Sequence, residues 1–135
     1  IADIIIEHRA KKPLETTGDL VACVDAAIPK KIRMQDSGHS ARRTFQALRI
    51  DVNSEFEVLY TFLEKLPQVL APNGRVAILT FHSGEDRLVK RSFKEFEKMG
   101  LYSEVSKDVI RPTQEECVRN GRAKCTKMRW AIRSE

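Results

Sequence analysis

The spacing of apolar residues changes several times along this chain, and each change marks an element. Residues 1–9, opening Ile1-Ala-Asp-Ile-Ile-Ile6, read as the end of an amphipathic helix. Thr16-Thr-Gly-Asp19 has the form of a capping box, a hydroxyl at the N-cap with a carboxylate three residues on. It predicts a helix over 18–28 that carries Leu20, Val21, Val24, Ala27 and Ile28 and stops at Pro29. Phe45, Leu48, Val52, Phe56, Leu59, Leu63 and Leu66 then recur at spacings of three and four, which predicts one long helix over 44–66. Pro67 interrupts it, and Pro72-Asn73-Gly74 makes a turn. Residues 75–81 are nearly all apolar, as in a strand covered on both faces, and so predict a parallel sheet. Ser83-Gly-Glu-Asp86 reads as a second capping box, opening a helix whose inward face holds Leu88, Val89, Phe93, Phe96 and Met99 and which Gly100 closes. Residues 102–110 predict a second strand, and residues 111–116 begin a short helix ending near Asn120-Gly121. Finally Met128, Trp130 and Ile132 alternate with Arg129, Ala131 and Arg133, a strand with one apolar face. The order helix–helix–helix–strand–helix–strand–helix–strand places the chain in the α/β class.

Composition adds bounds to this pattern. At 135 residues, 41% hydrophobic and 32% charged, the chain suits one globular domain rather than a disordered segment. None of the apolar runs approaches the ~20 residues of a membrane span. No signal or transit peptide is visible, and a start inside a helix without Met predicts a piece excised from a longer protein. The net charge of +5 and a pI near 9.3 favour polyanionic partners. Cys23, Cys117 and Cys125 fall at unpatterned spacing, which points to free thiols in a reducing compartment and to no zinc or other metal site.

The chemistry concentrates where the apolar run of 75–81 stops at His82-Ser83-Gly-Glu85-Asp86-Arg87. Open α/β folds keep their ligands at the carboxyl edge of such strands. One reading is local: Ser83 caps a helix whose dipole the acids complement. The other makes this edge a site, with His82 as a hydrogen-bonding group and Arg87 for phosphate or carboxylate. A Ser-His nucleophile fits poorly, because adjacent residues leaving a strand diverge and no G-x-S-x-G turn is present. Residues 30–43 hold Lys30, Lys31, Arg33, Arg42 and Arg43 against the single acid Asp36, and Arg122, Lys124 and Lys127 form a second basic cluster. Both are phosphate contacts or simply solvated surface. Trp130 reads as core. No strand runs into a glycine-rich turn, so no nucleotide or S-adenosylmethionine loop is present.

Several separated motifs, in order, resemble the MraW-type ribosomal RNA methyltransferases. They are Arg43-Thr-Phe-Gln-Ala-Leu-Arg-Ile50 with Val52-Asn53, Leu70-Ala-Pro-Asn-Gly-Arg75, and Phe81-His82-Ser83-Gly-Glu85-Asp86-Arg87-Leu-Val-Lys90. Arg111-Pro-Thr-Gln-Glu-Glu116 and Asn120-Gly-Arg122-Ala-Lys124-Cys-Thr-Lys127-Met-Arg129 resemble the closing segment of the family, and Lys12-Pro-Leu-Glu-Thr-Thr-Gly-Asp-Leu20 its helical insertion. The resemblance implies S-adenosyl-L-methionine-dependent methylation of the N4 amine of a cytidine in small-subunit ribosomal RNA. It implies residues 1–42 as part of a helical, RNA-side insertion and residues 43–135 as the C-terminal half of a Rossmann-like methyltransferase core. The cofactor-binding elements of the family lie upstream, and none is carried over to this chain. His82, Ser83 and Glu85 or Asp86 are then expected to line the cytidine side, with Arg87 holding RNA or bracing the acids. No covalent cysteine, metal or membrane is implied. Gly84 stands where Leu is common, and His39-Ser40 where His-Pro is common. The implied compartment is a bacterial cytoplasm or, in a eukaryote, a chloroplast or mitochondrion. A reading from another class is a non-catalytic RNA-binding or structural module, with the basic clusters supplying affinity alone.

Overall fold

A computed structural model describes residues 1–34 and 40–135; His39 and the rest of 35–39 lie outside the described residues. The chain forms two compact units, Ile1–Glu55 and Phe56–Glu135.

The first unit is helical: α1 (Ala2–Lys11), α2 (Thr17–Ala27), the single turn α3 (Lys30–Arg33) and α4 (Arg42–Val52). The expected capping box opens α2. Asp19 N–H donates to Thr16 Oγ1 at 3.1 Å, and Thr16 N–H donates to Asp19 Oδ2 at 2.8 Å. The Thr16 N–H, with Glu15 N–H donating to the same oxygen at 3.1 Å, holds the Asp19 carboxyl below its ordinary range. The helix α1 packs on α2, and Cys23, Val24 and Ala41 are the buried apolar residues of this unit. The basic stretch that starts at Lys30 opens with a helical turn, α3.

The long helix expected over 44–66 is two helices, α4 and α5 (Glu55–Val69). Asn53 closes α4 by donating from Nδ2 to Arg49 O at 2.8 Å. Ser54 follows in the left-handed region at φ 49°, which an uninterrupted helix does not allow. Short polar side chains compete for backbone hydrogen bonds in this way, and an apolar period does not register them. The stripe therefore splits: Leu48 and Val52 are exposed, whereas Leu63 and Leu66 are buried. Pro67 lies inside the last turn of α5, buried, and the helix continues to Val69.

The second unit adds β1 (Arg75–Thr80), α6 (Ser83–Lys98), β2 (Tyr102–Val105), α7 (Gln114–Arg119), a 3₁₀ turn (Gly121–Cys125) and β3 (Lys127–Arg133). The sheet order is β1-β3-β2, with β3 antiparallel to both neighbours. This corrects the parallel sheet read from the sequence. The strands β1 and β2 do run the same way around α6, but the last strand inserts between them and takes both ladders. The second strand is also shorter than 102–110, with Ile110 rejoining only as an isolated bridge to Met128.

One face of the sheet carries the core. The residues Leu63, Leu66, Val89, Phe93, Tyr102, Val105 and Ala131 are buried together, with Leu59, Leu88, Val76 and Ile78 against them. The Phe93 and Phe96 rings meet the Tyr102 ring edge-on at 5.5 and 6.0 Å. Burial raises the Tyr102 hydroxyl to about 12 against the opposing charge of Arg133. In β3 the expected inward set is reversed. Register pairs Val76 with Ala131 and Ile78 with Arg129, so Arg129 and Ala131 face α6 and are buried. Met128, Trp130 and Ile132 share the opposite face with Ala77 and Leu79, and Leu79 is 58% exposed. Gly100, at φ 75°, closes α6 as expected, with Leu101 N–H donating back to Phe96 O at 2.8 Å. Met99, expected inward, is 69% exposed.

Truncating Phe93 to Ala should lower unfolding free energy by about 3–5 kcal/mol, and truncating the exposed Phe62 by less than about 0.5 kcal/mol. Urea denaturation of both variants checks this, and a reversed ranking would contradict the core assigned here.

Candidate site at the end of the first strand

The strand β1 ends at buried Thr80, and two residues later the chain turns into α6. His82, not Ser83 as the sequence suggests, is the N-cap. Its Nδ1 accepts from the N–H groups of Gly84 at 3.2 Å and Glu85 at 3.4 Å. That acceptor role places the ring hydrogen on Nε2. Glu85 completes the box: its Oε2 accepts from Phe81 N–H at 2.9 Å and His82 N–H at 3.3 Å. His82 Nε2 is buried 3.4 Å from Glu85 Oε1, an electrostatic contact without a formed hydrogen bond. Imidazole can replace a hydroxyl at the cap because the residue sits in extended backbone, φ −142° and ψ 165°, with the ring folded over the first turn.

Ser83, freed from capping, is exposed and makes no hydrogen bond among the described residues. Asp86 points the other way, into the sheet. Arg129 donates to it from Nε at 2.8 Å and from Nη2 at 3.4 Å, and Lys127 Nζ lies 4.0 Å away. The side chains of Arg129 and Asp86 are only 8% and 15% exposed. Burial pushes the Asp86 carboxyl up, but the Arg129 hydrogen bonds and the charges of Arg129, Lys127 and Lys90 outweigh it and hold the group below its ordinary value.

The candidates of the second unit thus have distinct places. His82 and Glu85 form the cap, Asp86 and Lys127 join a buried charge cluster, and Ser83 and Arg87 stand free on the surface. Arg122 and Lys124 are exposed on the 3₁₀ turn. In the first unit Lys30, Lys31, Arg42 and Arg43 are exposed, and Arg33 pairs with Asp25 at 3.3 Å. The residue that sequence reasoning misses is Arg129, which braces Asp86 in the role expected of Arg87. Its only signal is a charge on alternating parity with Ala131, and that signal becomes readable once Ala131 is known to face the helix.

Taken together, the elements define a mixed α/β chain with a polar cluster at the carboxyl end of a strand. Comparison with known sequences then supplies the family. The profile of the MraW methylase family matches residues 1–134, and the chain belongs to that family. It is 59% identical over 134 residues to ribosomal RNA small subunit methyltransferase H 1 of Lachnoclostridium phytofermentans, covering 97% of this chain and 37% of that protein. Over 108 residues it is 62% identical to the protein of the same name from Agathobacter rectalis, covering 80% of this chain and 31% of that one. A third bacterial relative, ribosomal RNA small subunit methyltransferase H 2 of Alkaliphilus metalliredigens, is 53% identical over 134 residues, 97% of this chain and 38% of its own length. The chain therefore spans about a third of the length of these relatives. Among the described residues no helix is long and apolar enough to cross a membrane.

Family membership implies S-adenosylmethionine for the whole enzyme. The start of α6 does not offer it an open set of backbone donors. The N–H groups of Phe81, His82, Gly84 and Glu85 are already taken by the cap, and no described strand enters a glycine-rich turn.

Substituting Asp86 by Asn should cost about 3 kcal/mol, because it leaves the buried Arg129 charge uncompensated. The folded carboxyl titrates below the ordinary 3.8, so its contribution is complete above that value and is lost as pH falls through the lower, folded one. Urea titrations from neutral to acid pH should show the gap between wild type and variant closing only in that acid window. A gap independent of pH would contradict the charge pairing.

Proposed function

We propose that this chain is the substrate-facing end of an enzyme that transfers a methyl group from S-adenosylmethionine to the N4 amine of a cytidine in small-subunit ribosomal RNA. The observation that carries the reading is the family match over residues 1–134, centred on a strand end whose helix start is rigidly capped and whose free side chains are polar. In this reading residues 43–135 are the C-terminal half of a Rossmann-like core, and residues 1–42 belong to a helical insertion on the RNA side. One feature of the sheet agrees with it: β1 has no partner on its outer edge among the described residues, which leaves that edge open to further strands. The exposed basic side chains Lys30, Lys31, Arg42, Arg43, Arg87, Arg122 and Lys124 supply positive charge for the RNA backbone, whereas Arg33 and Lys127 are held by Asp25 and Asp86.

The cofactor, held outside these residues, supplies an activated methyl group. What this chain contributes is alignment and field. Ser83 Oγ, free at the surface beside the cap, accepts a hydrogen bond from the exocyclic amine. Glu85, whose carboxylate closes the cap beside Ser83, places negative charge near a nitrogen that becomes cationic as it is alkylated. Asp86 is turned into the sheet toward Arg129 and braces the turn. His82 is a positioning residue: its ring holds the first turn so that Ser83 faces outward.

In the full-length protein, N4-methylcytidine in small-subunit ribosomal RNA is measured by mass spectrometry after incubation with S-adenosylmethionine. Ser83→Ala should lower kcat roughly tenfold or more, the loss of one hydrogen bond to a group gaining charge. His82→Ala should fall similarly, and His82→Asn, which still caps, should restore most of the activity. Failure of Asn to rescue, with the fold intact, would make the imidazole itself chemically necessary and contradict the positioning role.

A further inference from the structure

We infer that the groove between α5 and α6, walled by Phe56, Tyr60, Thr61, Gly84, Arg87 and Leu88, is a subsite for one nucleotide adjacent to the target in single-stranded RNA. The inference rests on the proposed function and names what lies beside the reacting base. The cavity measures about 610 Å³, within the size range of small-ligand sites. Its aromatic wall is built by helical spacing, with Phe56 and Tyr60 one turn apart on α5. Tyr60 is 61% exposed, a large ring held open to solvent rather than tucked into the core.

Glycine at position 84 is what lets the wall stand so close to α6. A Cβ there would lie 2.9 Å from Phe56 Cζ and 3.1 Å from the His82 ring. The Phe56 ring in turn meets the His82 ring edge-on at 6.0 Å, so the groove adjoins the capped strand end directly. Arg87, three residues after Gly84, is exposed, and its guanidinium has no hydrogen bond or ion pair among the described residues. An exposed aromatic ring beside a free guanidinium is the combination that single-stranded nucleic acid sites use, the ring stacking on a base and the cation holding its phosphate. Glu57 also lines the groove and brings an acceptor for an amino group of a base. The groove reaches His82 and Gly84, on either side of Ser83 in sequence, so a strand whose target base enters at Ser83 would carry its neighbour beside this wall. The net charge of +5 draws such a polyanion in.

The test uses the full-length protein, its Tyr60→Ala, Tyr60→Phe and Arg87→Gln variants, and labelled single-stranded RNA spanning the target, with one abasic position moved along the flanks. Fluorescence anisotropy over a salt series gives Kd. Tyr60→Ala should weaken binding about tenfold or more, and Tyr60→Phe should leave it near wild type. Arg87→Gln should weaken it and reduce the salt slope by about one. One abasic position should reproduce the Tyr60→Ala loss and add nothing to it. Wild-type affinity in Tyr60→Ala, or abasic losses that add in full at every position, would overturn the subsite. Parallel assay of N4-methylcytidine separates the two claims. Wild-type protein that binds RNA but never methylates it removes the proposed function, whereas active protein indifferent to both variants removes the groove alone.

Discussion

The second unit depends on a buried ion pair. Arg129 lies on the core-facing parity of the central strand, and Asp86 lies in the first turn of α6, the helix that packs on all three strands. Two charges in so dry a place are tolerated only as partners, because desolvation of either alone costs several kcal/mol. The pair therefore ties the start of α6 to the middle of β3 at a fixed spacing. With Lys127 alongside, it also fixes where β1 must end, because Thr80 and Lys127 stand opposite one another in the ladder.

From that anchor the exposed chemistry follows. The first turn of α6 satisfies its own backbone donors through His82 and Glu85, so those N–H groups are not open to an anion. The recognition proposed above therefore falls to side chains, Ser83 and those of the Phe56–Tyr60–Arg87 groove. The sheet face opposite α6, carrying Ala77, Leu79 and Trp130, is apolar and only partly covered. That is the condition of a sheet whose second layer comes from elsewhere, consistent with a chain that spans little over a third of its relatives.

Much of this is legible in the residues. Capping at Thr16, the turn at Asn73-Gly74, the closing Gly100 and the amphipathic face of α6 are local signals, and local physics suffices to read them. The strand-end location of the site is equally plain, because an apolar run that stops at His-Ser is the form a buried strand takes where it reaches a polar edge. What escapes is non-local. A continuous apolar stripe hides the break at Asn53-Ser54, where hydrogen-bonding side chains overrule the period. The antiparallel insertion of β3 leaves no mark on β1, since a strand buried on one face by a helix and bordered by apolar neighbours reads like a parallel one. Arg129 reads as outward because charge usually is, and only its partner 43 positions earlier reverses that preference. The cap reads one residue late because hydroxyls are the common caps and imidazole a rare one.

The most direct measurement of the central claim is a double-mutant cycle on stability between Asp86→Leu and Arg129→Met. Asp86→Leu leaves Arg129 without its carboxylate and Arg129→Met leaves Asp86 only Lys127 at 4.0 Å, whereas the double change removes both members of the pair. The structure predicts that the double variant is far less destabilised than the sum of the singles, with a coupling of about 2 kcal/mol or more. Additivity within about 0.5 kcal/mol would mean that the two groups do not stabilise one another, and the anchor on which the strand-end site rests would be lost.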